Sequence, residues 1–263
     1  MIQPTFYIPH GGGPCFFMEW DPPNIWNNMA SFLSGLFKTL PEKPDSIIIV
    51  SAHWATQELS VTASPSPSLV YDYYGFPDHT YNLKWKCPGN PFLALKVAEL
   101  LKTAKIACNL DHERGFDHGV FIPLKLALPL ADIPTIQLSL RNNLDPCFHL
   151  QVGNVLAHFR TENILLIGSG MSYHDISALM GKTQNPEGKL FDSWLETTIK
   201  LPATIRNNAL LEWHLSPGAK SSHPTEEHLT PLFFAAGAGQ SDMGKRIYRD
   251  EILGCPISGF RFG

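Results

Sequence analysis

The chain has 263 residues, 44% hydrophobic and 17% charged, which is enough apolar material for one sizeable core. Its net charge of -4, with 11 histidines counted neutral, argues against nucleic acid or an anionic membrane as partner, since both need a basic footprint. No run of about 18 uncharged apolar residues occurs, so no bilayer span is expected, and Met1 to Thr5 lack the basic and apolar pattern of a secretory leader.

In chain order, Thr5 to Ile8 reads as a short first strand. Ile25, Met29, Phe32, Leu33, Leu36 and Phe37 recur at helical spacing after Pro22 and Pro23. Ser46 to Val50 is a continuous β-branched run, as expected for a strand covered on both faces. The segment from Tyr71 to Pro88 is long, aromatic and aperiodic, and its aromatic content, Trp85 included, suits an ordered loop that covers a site or faces a partner. Asn90 and Pro91 supply an N-cap and a proline at the first helical position, ahead of Leu93, Val97, Leu100 and Leu101. A helix over Val120 to Leu128, broken near Pro123, precedes a strand over Thr135 to Leu140, a helix over Pro146 to Phe159 and a buried strand over Ile164 to Ile167. Helices are then expected over Phe191 to Lys200, Ala203 to Trp213 and Thr225 to Ala236, with Pro256 to Phe262 returning as an edge strand.

Alternating strands and helices predict an α/β fold: a single domain over residues 1–263, with a central mixed, largely parallel sheet flanked by helices. The five cysteines (Cys15, Cys87, Cys108, Cys147, Cys255) are odd in number and contain no C-x-x-C pair. They read as reduced thiols of a cytoplasmic protein.

The histidines carry the functional signal by position. His10 follows the first strand, His53 lies three residues after the second, and His174 follows the Ile164 to Ile167 strand. Ligands of an open α/β sheet collect beyond the carboxyl ends of its strands, so these three imidazoles are placed to converge. His118 and His228 sit at two loop-to-helix junctions from which they could close the same ring. Neutral imidazole suits zinc or iron better than magnesium or calcium. A catalytic metal needs about three protein ligands, which leaves one or two of the five for proton transfer. His79, His112, His149, His158 and His214 lack such placement and read as surface or core residues, while His223 could line the pocket. Gly11 to Gly13 is a weak phosphate-loop pattern with no helix start behind it, and Glu226 with Glu227 reads as a favourable pairing with a helix N-terminus. H-E-x-x-H, G-x-S-x-G, P-loop and G-x-G-x-x-G motifs are absent from the sequence.

Several blocks in order resemble the class III (LigB-type) extradiol ring-cleavage dioxygenases, in the 4,5-DOPA dioxygenase branch. They are His10-Gly11-Gly12-Gly13-Pro14, Ser51-Ala52-His53-Trp54, Tyr71 to Pro77, Gly115-Phe116-Asp117-His118-Gly119, Ala131 to Pro134 with Gln137-Leu138-Ser139, Gly168-Ser169-Gly170 leading to His174, and Glu227 to Leu232. The resemblance implies a LigB-like fold with His10, His53 and His228 as metal ligands. It implies His174 as acid/base, able to reach a zinc ion as a fourth ligand, and His118 as a helper beside dioxygen or the transferring proton. It further implies Fe(II) for activity, Zn(II) as a metal that binds the same site, and a DOPA-like catechol and dioxygen as small-molecule partners of a monomer or small homo-oligomer. Trp54, Tyr73, Phe76 and Tyr81 are candidates to wall the aromatic ring. Two other readings compete: a zinc-dependent hydrolase on the same crevice, and a non-enzymatic binding protein that keeps the fold.

Overall fold

The computed structural model describes residues 1–184 and 186–263. Among these, eight strands form one sheet: β1 (Thr5–Pro9), β2 (Ser46–Thr56), β3 (Leu59–Thr62), β4 (Cys108–Asp111), β5 (Thr135–Arg141), β6 (Ile164–Gly170), β7 (Gly244–Ile252) and β8 (Cys255–Phe262). Their spatial order is β4-β3-β5-β2-β6-β1-β8-β7. The centre, β5-β2-β6-β1, is parallel throughout. β8 joins β1 antiparallel, the β7–β8 pair is antiparallel, and β3 meets β5 antiparallel while pairing β4 in parallel. The expected mixed, largely parallel sheet is therefore the observed one.

The described helices are α1 (Asn27–Gly35), α2 (Pro91–Thr103), α3 (His118–Ala127), α4 (Pro146–Leu156), α5 (Ile176–Leu179), α6 (Gly188–Ile199), α7 (Ala203–Leu211), α8 (Ala219–Ser222) and α9 (Thr230–Ala238). Strand pleating sends alternate residues to opposite faces. Phe6, Ile8, Ile47, Ile49, Leu165 and Ile167 pack with Met29 and Leu33 of α1 and Val120, Phe121 and Leu124 of α3. Ile48, Val50, Ile164 and Leu166 pack on the other face with Leu93 and Val97 of α2, Val152 and Leu156 of α4, and Phe234 of α9. Both faces are covered, which is why these strands are unbroken apolar runs. α4 and α9 touch backbone to backbone: a Cβ on Gly153 would lie 2.1 Å from the Phe234 carbonyl oxygen.

Several expectations are corrected. β2 runs on to Thr56, so His53 lies within a strand, where the pairing with β5 shifts register between Val50 and Ala55. β8 is an interior strand because β7, unheralded by any apolar alternation, covers its outer side. The short strands β3 and β4 were likewise outside the pattern. α9 starts at Thr230, with Pro231 in its first turn, so residues 225–229 form a turn rather than a helix. α3 starts at His118 and continues through Pro123. The Tyr71 to Pro88 segment is anchored, in keeping with its aromatic content. Trp85 is buried with its indole N–H donating to the Leu128 carbonyl (3.0 Å), and the Tyr71 hydroxyl donates to the Leu83 carbonyl. No described helix is long and apolar enough to cross a membrane.

Candidate metal centre

β2, β6 and β1 are neighbours and parallel, so their carboxyl ends open on the same edge of the sheet. His10 leaves the end of β1, its backbone N–H donating to the Gly170 carbonyl at the end of β6 (3.2 Å). The turn carrying His228 is tied over the same edge: its carbonyl accepts from the Tyr7 hydroxyl (2.8 Å) and the Met171 N–H (3.1 Å). His53 projects from the carboxyl-terminal part of β2 between them. Its Nε2 lies 3.1 Å from Nε2 of His10 and 3.2 Å from Nε2 of His228.

The outer ring nitrogens are each assigned a partner. Pro123 has no N–H to give the carbonyl one helical turn back, that of Gly119. The Ser169 hydroxyl donates to that carbonyl instead and turns its lone pairs toward Nδ1 of His10, 3.1 Å away. Nδ1 of His228 donates to Oε1 of Glu227 (2.9 Å), and Nδ1 of His53 faces Asp72 at 3.7 Å. With their protons held on Nδ1 by Ser169 and Glu227, His10 and His228 present bare Nε2 lone pairs to Nε2 of His53. Burial, followed by the charges of the neighbouring histidines, holds His10 and His53 well below the ordinary histidine range and His228 down to about 3. All three are thus neutral, the form that ligates metal.

Three lone pairs aimed at one point repel unless a cation lies between them. Nitrogens about 2.1 Å from one ion lie roughly 3.0 Å apart at right angles and roughly 3.4 Å apart at the tetrahedral angle. The observed separations fall in that interval, so His10, His53 and His228 could hold a metal ion. Two carboxylates flank the cluster. Burial works against Asp72, but hydrogen bonds from the His118 ring and backbone outweigh it and keep it below the usual carboxylate range. Burial works against Glu227 as well, and hydrogen bonds from His174 and His228 hold it far lower.

His118 stands beside His53, ring centroids 3.9 Å apart, with both its Nδ1 and its backbone N–H on Oδ1 of Asp72 (2.9 Å each). His174 stacks on His228 at 3.3 Å, and its Nδ1 meets Oε1 of Glu227 at 3.2 Å. All five histidines singled out from the sequence therefore meet in one place. Gly119 makes this possible, because a Cβ there would fall 2.3 Å from the Ser51 hydroxyl and 3.0 Å from the His53 ring. Behind it Asp117 is fully buried, accepting from Ser51 (2.7 Å) and Gln137. Burial first, then the Asp72 charge, raise its pKa.

Of the candidate wall residues, Phe76 alone lines the cavity over the cluster, a space of about 410 Å3. Trp54 sits one residue after His53 and so on the opposite sheet face, under the Arg114 guanidinium. Tyr73 is buried behind Phe76, its hydroxyl on the Thr80 carbonyl (2.7 Å), and the Tyr81 hydroxyl accepts weakly from the Phe76 N–H (3.4 Å). His223 is buried away from the cavity against Phe191 and Trp213, its Nε2 on the Ser172 carbonyl (3.0 Å). Glu227 is not a helix-terminus residue, since α9 begins three residues later. Sequence reading missed Asp72 and Glu227 as partners of the histidines, though each stood inside a quoted block. It also missed Ser169, and the cavity residues Trp20, Trp26, Met171, Met180 and Leu253, for which the sequence offers no shared pattern.

A family model described as the catalytic LigB subunit of aromatic ring-opening dioxygenase matches residues 4–258. The chain is 34% identical to dioxygenase tasH of Hapsidospora irregularis over 284 residues, covering 100% of this chain and 86% of that protein. It is 38% identical to the 4,5-DOPA dioxygenase extradiol of Portulaca grandiflora over 257 residues, covering 94% and 91%. A crystal structure of an uncharacterized protein from Escherichia coli K12 superposes with a TM-score of 0.81 at 28% identity, over 99% of this chain and 100% of that one.

Proposed function

Because this chain belongs to the LigB family of aromatic ring-opening dioxygenases and is an oxidoreductase of that kind, we propose that it is an extradiol dioxygenase acting on a catechol, with residues 1–263 as one catalytic domain. The observation that carries this reading is the triplet of neutral imidazoles whose Nε2 atoms stand 3.1 and 3.2 Å apart beneath a cavity that His53 and His228 line. His10, His53 and His228 would hold Fe(II), and Zn(II) would fit the same nitrogens. A divalent ion bound there would supply charge neutralisation and positioning for the reaction, contributions worth several kcal/mol.

The protein's own groups do the rest. His174, its Nδ1 held by Glu227, keeps Nε2 for the cavity and takes the proton of a catechol hydroxyl, returning it as an acid later. His118, fixed at two points by Asp72, holds its ring beside His53, next to dioxygen or the proton in transit. Phe76 packs against the substrate ring, and the apolar cavity keeps water from the reacting carbons. The carbon–carbon bond beside one hydroxyl-bearing carbon breaks, both atoms of dioxygen enter the product, and one carboxylic acid and one aldehyde form without another reductant. The same reading takes the protein as cytoplasmic, a monomer or small homo-oligomer, and its five cysteines are free.

An anaerobically purified, Fe(II)-loaded sample is expected to consume dioxygen with a catechol and give a yellow semialdehyde, and His53→Ala is expected to lose the metal. No oxygen uptake across a catechol panel, together with full metal retention by His53→Ala, rejects the proposal.

A further inference from the structure

The cavity above the histidines is walled by chemistry of one kind. Beyond the imidazoles and a stretch of glycine backbone, its side chains are overwhelmingly aromatic or aliphatic. At about 410 Å3 it lies within the range of about 300–1,000 Å3 typical of ligand pockets, with room beyond a single ring. Its outer rim is unusual: Ile176, Met180 and Leu253 are 58%, 61% and 43% exposed. Large aliphatic side chains left in water around the mouth of a site mark a surface awaiting an apolar ligand.

Charge points the same way. Among the described residues, no lysine or arginine lines the cavity, and its one charged side chain is the exposed carboxylate of Asp21. Asp72 and Glu227 lie behind the imidazoles and do not line the cavity. A carboxylate on a substrate side chain running out to the rim would lose its water without meeting a lysine or arginine, and would face the Asp21 carboxylate. A methylene chain or aryl group would bury apolar area against Met180, Leu253 and Ile176.

From this lining we infer that the site takes catechols bearing a neutral, apolar substituent, which extends from the ring over the histidines out to the Ile176, Met180 and Leu253 rim, and that it discriminates against catechols with a carboxylate or zwitterionic side chain. The inference rests on the ring-opening reading for the catechol itself, but the polarity of the cavity is independent of turnover. Two measurements therefore separate them.

The first is anaerobic calorimetric titration of the Zn(II)-loaded protein with 4-methylcatechol, 4-butylcatechol, 3-(3,4-dihydroxyphenyl)propionate and 3,4-dihydroxyphenylalanine. The dissociation constant is expected to fall about fourfold for each added methylene that is buried, and both carboxylate-bearing ligands are expected to bind at least tenfold more weakly than the butyl compound. Met180→Arg, at an exposed position that spares the core, is expected to cut that preference at least tenfold, and Leu253→Arg provides the same test from the other side of the rim. Carboxylate-bearing catechols binding as tightly as 4-butylcatechol would overturn the inference. The second measurement is oxygen uptake by the Fe(II)-loaded protein with the same four compounds. Tight binding of the alkyl series without any ring opening would sink the dioxygenase reading and leave the apolar specificity standing. Ring opening with kcat/KM for the amino acid equal to or above that for 4-butylcatechol would do the reverse.

Discussion

Glu227 joins two histidines through one oxygen, 2.9 Å from Nδ1 of His228 and 3.2 Å from Nδ1 of His174. That single carboxylate sets the tautomer of a proposed ligand and the orientation of the proposed acid/base together. Glu227→Gln keeps the shape but replaces a charged acceptor with a neutral one. Loss of an outer-shell partner of this kind typically costs about 10–100-fold in metal affinity or activity. Competition with a chelator should show a drop in affinity within that range, and the acid limb of the kcat profile should move as well, which a purely structural role would not produce. An unchanged affinity and profile would remove Glu227 from the machinery. That His228 mattered was legible in the sequence. That its neighbour held it was not, because Glu227 beside Glu226 looked like a helix start, and only Pro231 and the turn before α9 show that the helix begins later.

At the scale of elements, α4 and α9 pack backbone against backbone, with Gly153 under the Phe234 carbonyl. A methyl group there has no flexible side chain to displace, since the nearest atoms are a carbonyl oxygen, a backbone nitrogen and a carbonyl carbon. Gly153→Ala should cost about 2 kcal/mol or more through overpacking, read as a lower urea midpoint with an unchanged slope. A midpoint within error of the parent would show that the helices can part freely. The buried strands and capped helices were readable because their burial leaves unbroken apolar runs and because Asn90 caps α2 through the Leu93 N–H as its type predicts. β7 was not readable: as an edge strand it carries Lys245, Arg246, Arg249, Asp250 and Glu251 and has no apolar period to betray it.

Whole-molecule stability should respond to acid through histidines far from the site as well as within it. His149 is buried, its Nδ1–H on the Asp145 carbonyl and its Nε2 accepting the Arg141 N–H, so a second proton has no place to go. Burial lowers its pKa to about 4, below the value of about 6.5 in the unfolded chain. The unfolded state therefore takes up the proton first as pH falls. This contribution is complete above pH of about 6.5 and is lost toward pH 4, at about 1.4 kcal/mol per pH unit. His149→Gln should remove that slope: the difference in urea stability between parent and variant should shrink steadily from pH 7 to pH 4.5, and a constant difference would refute the assignment. The convergence of five histidines could be anticipated because parallel strands end on one edge. The apolar cavity could not, since its walls come from segments around residues 20–26, 171–180 and 252–253 that share no periodicity. Pro123 ties these scales together. Replacing it with alanine would restore a helical N–H and could raise the stability of the metal-free protein by up to about 3 kcal/mol. The new N–H would also compete for the Gly119 oxygen, freeing Ser169 from the bond that aims it at His10. The expected variant melts later and grips its ion less well, so that robustness and readiness for chemistry pull in opposite directions at one imino acid.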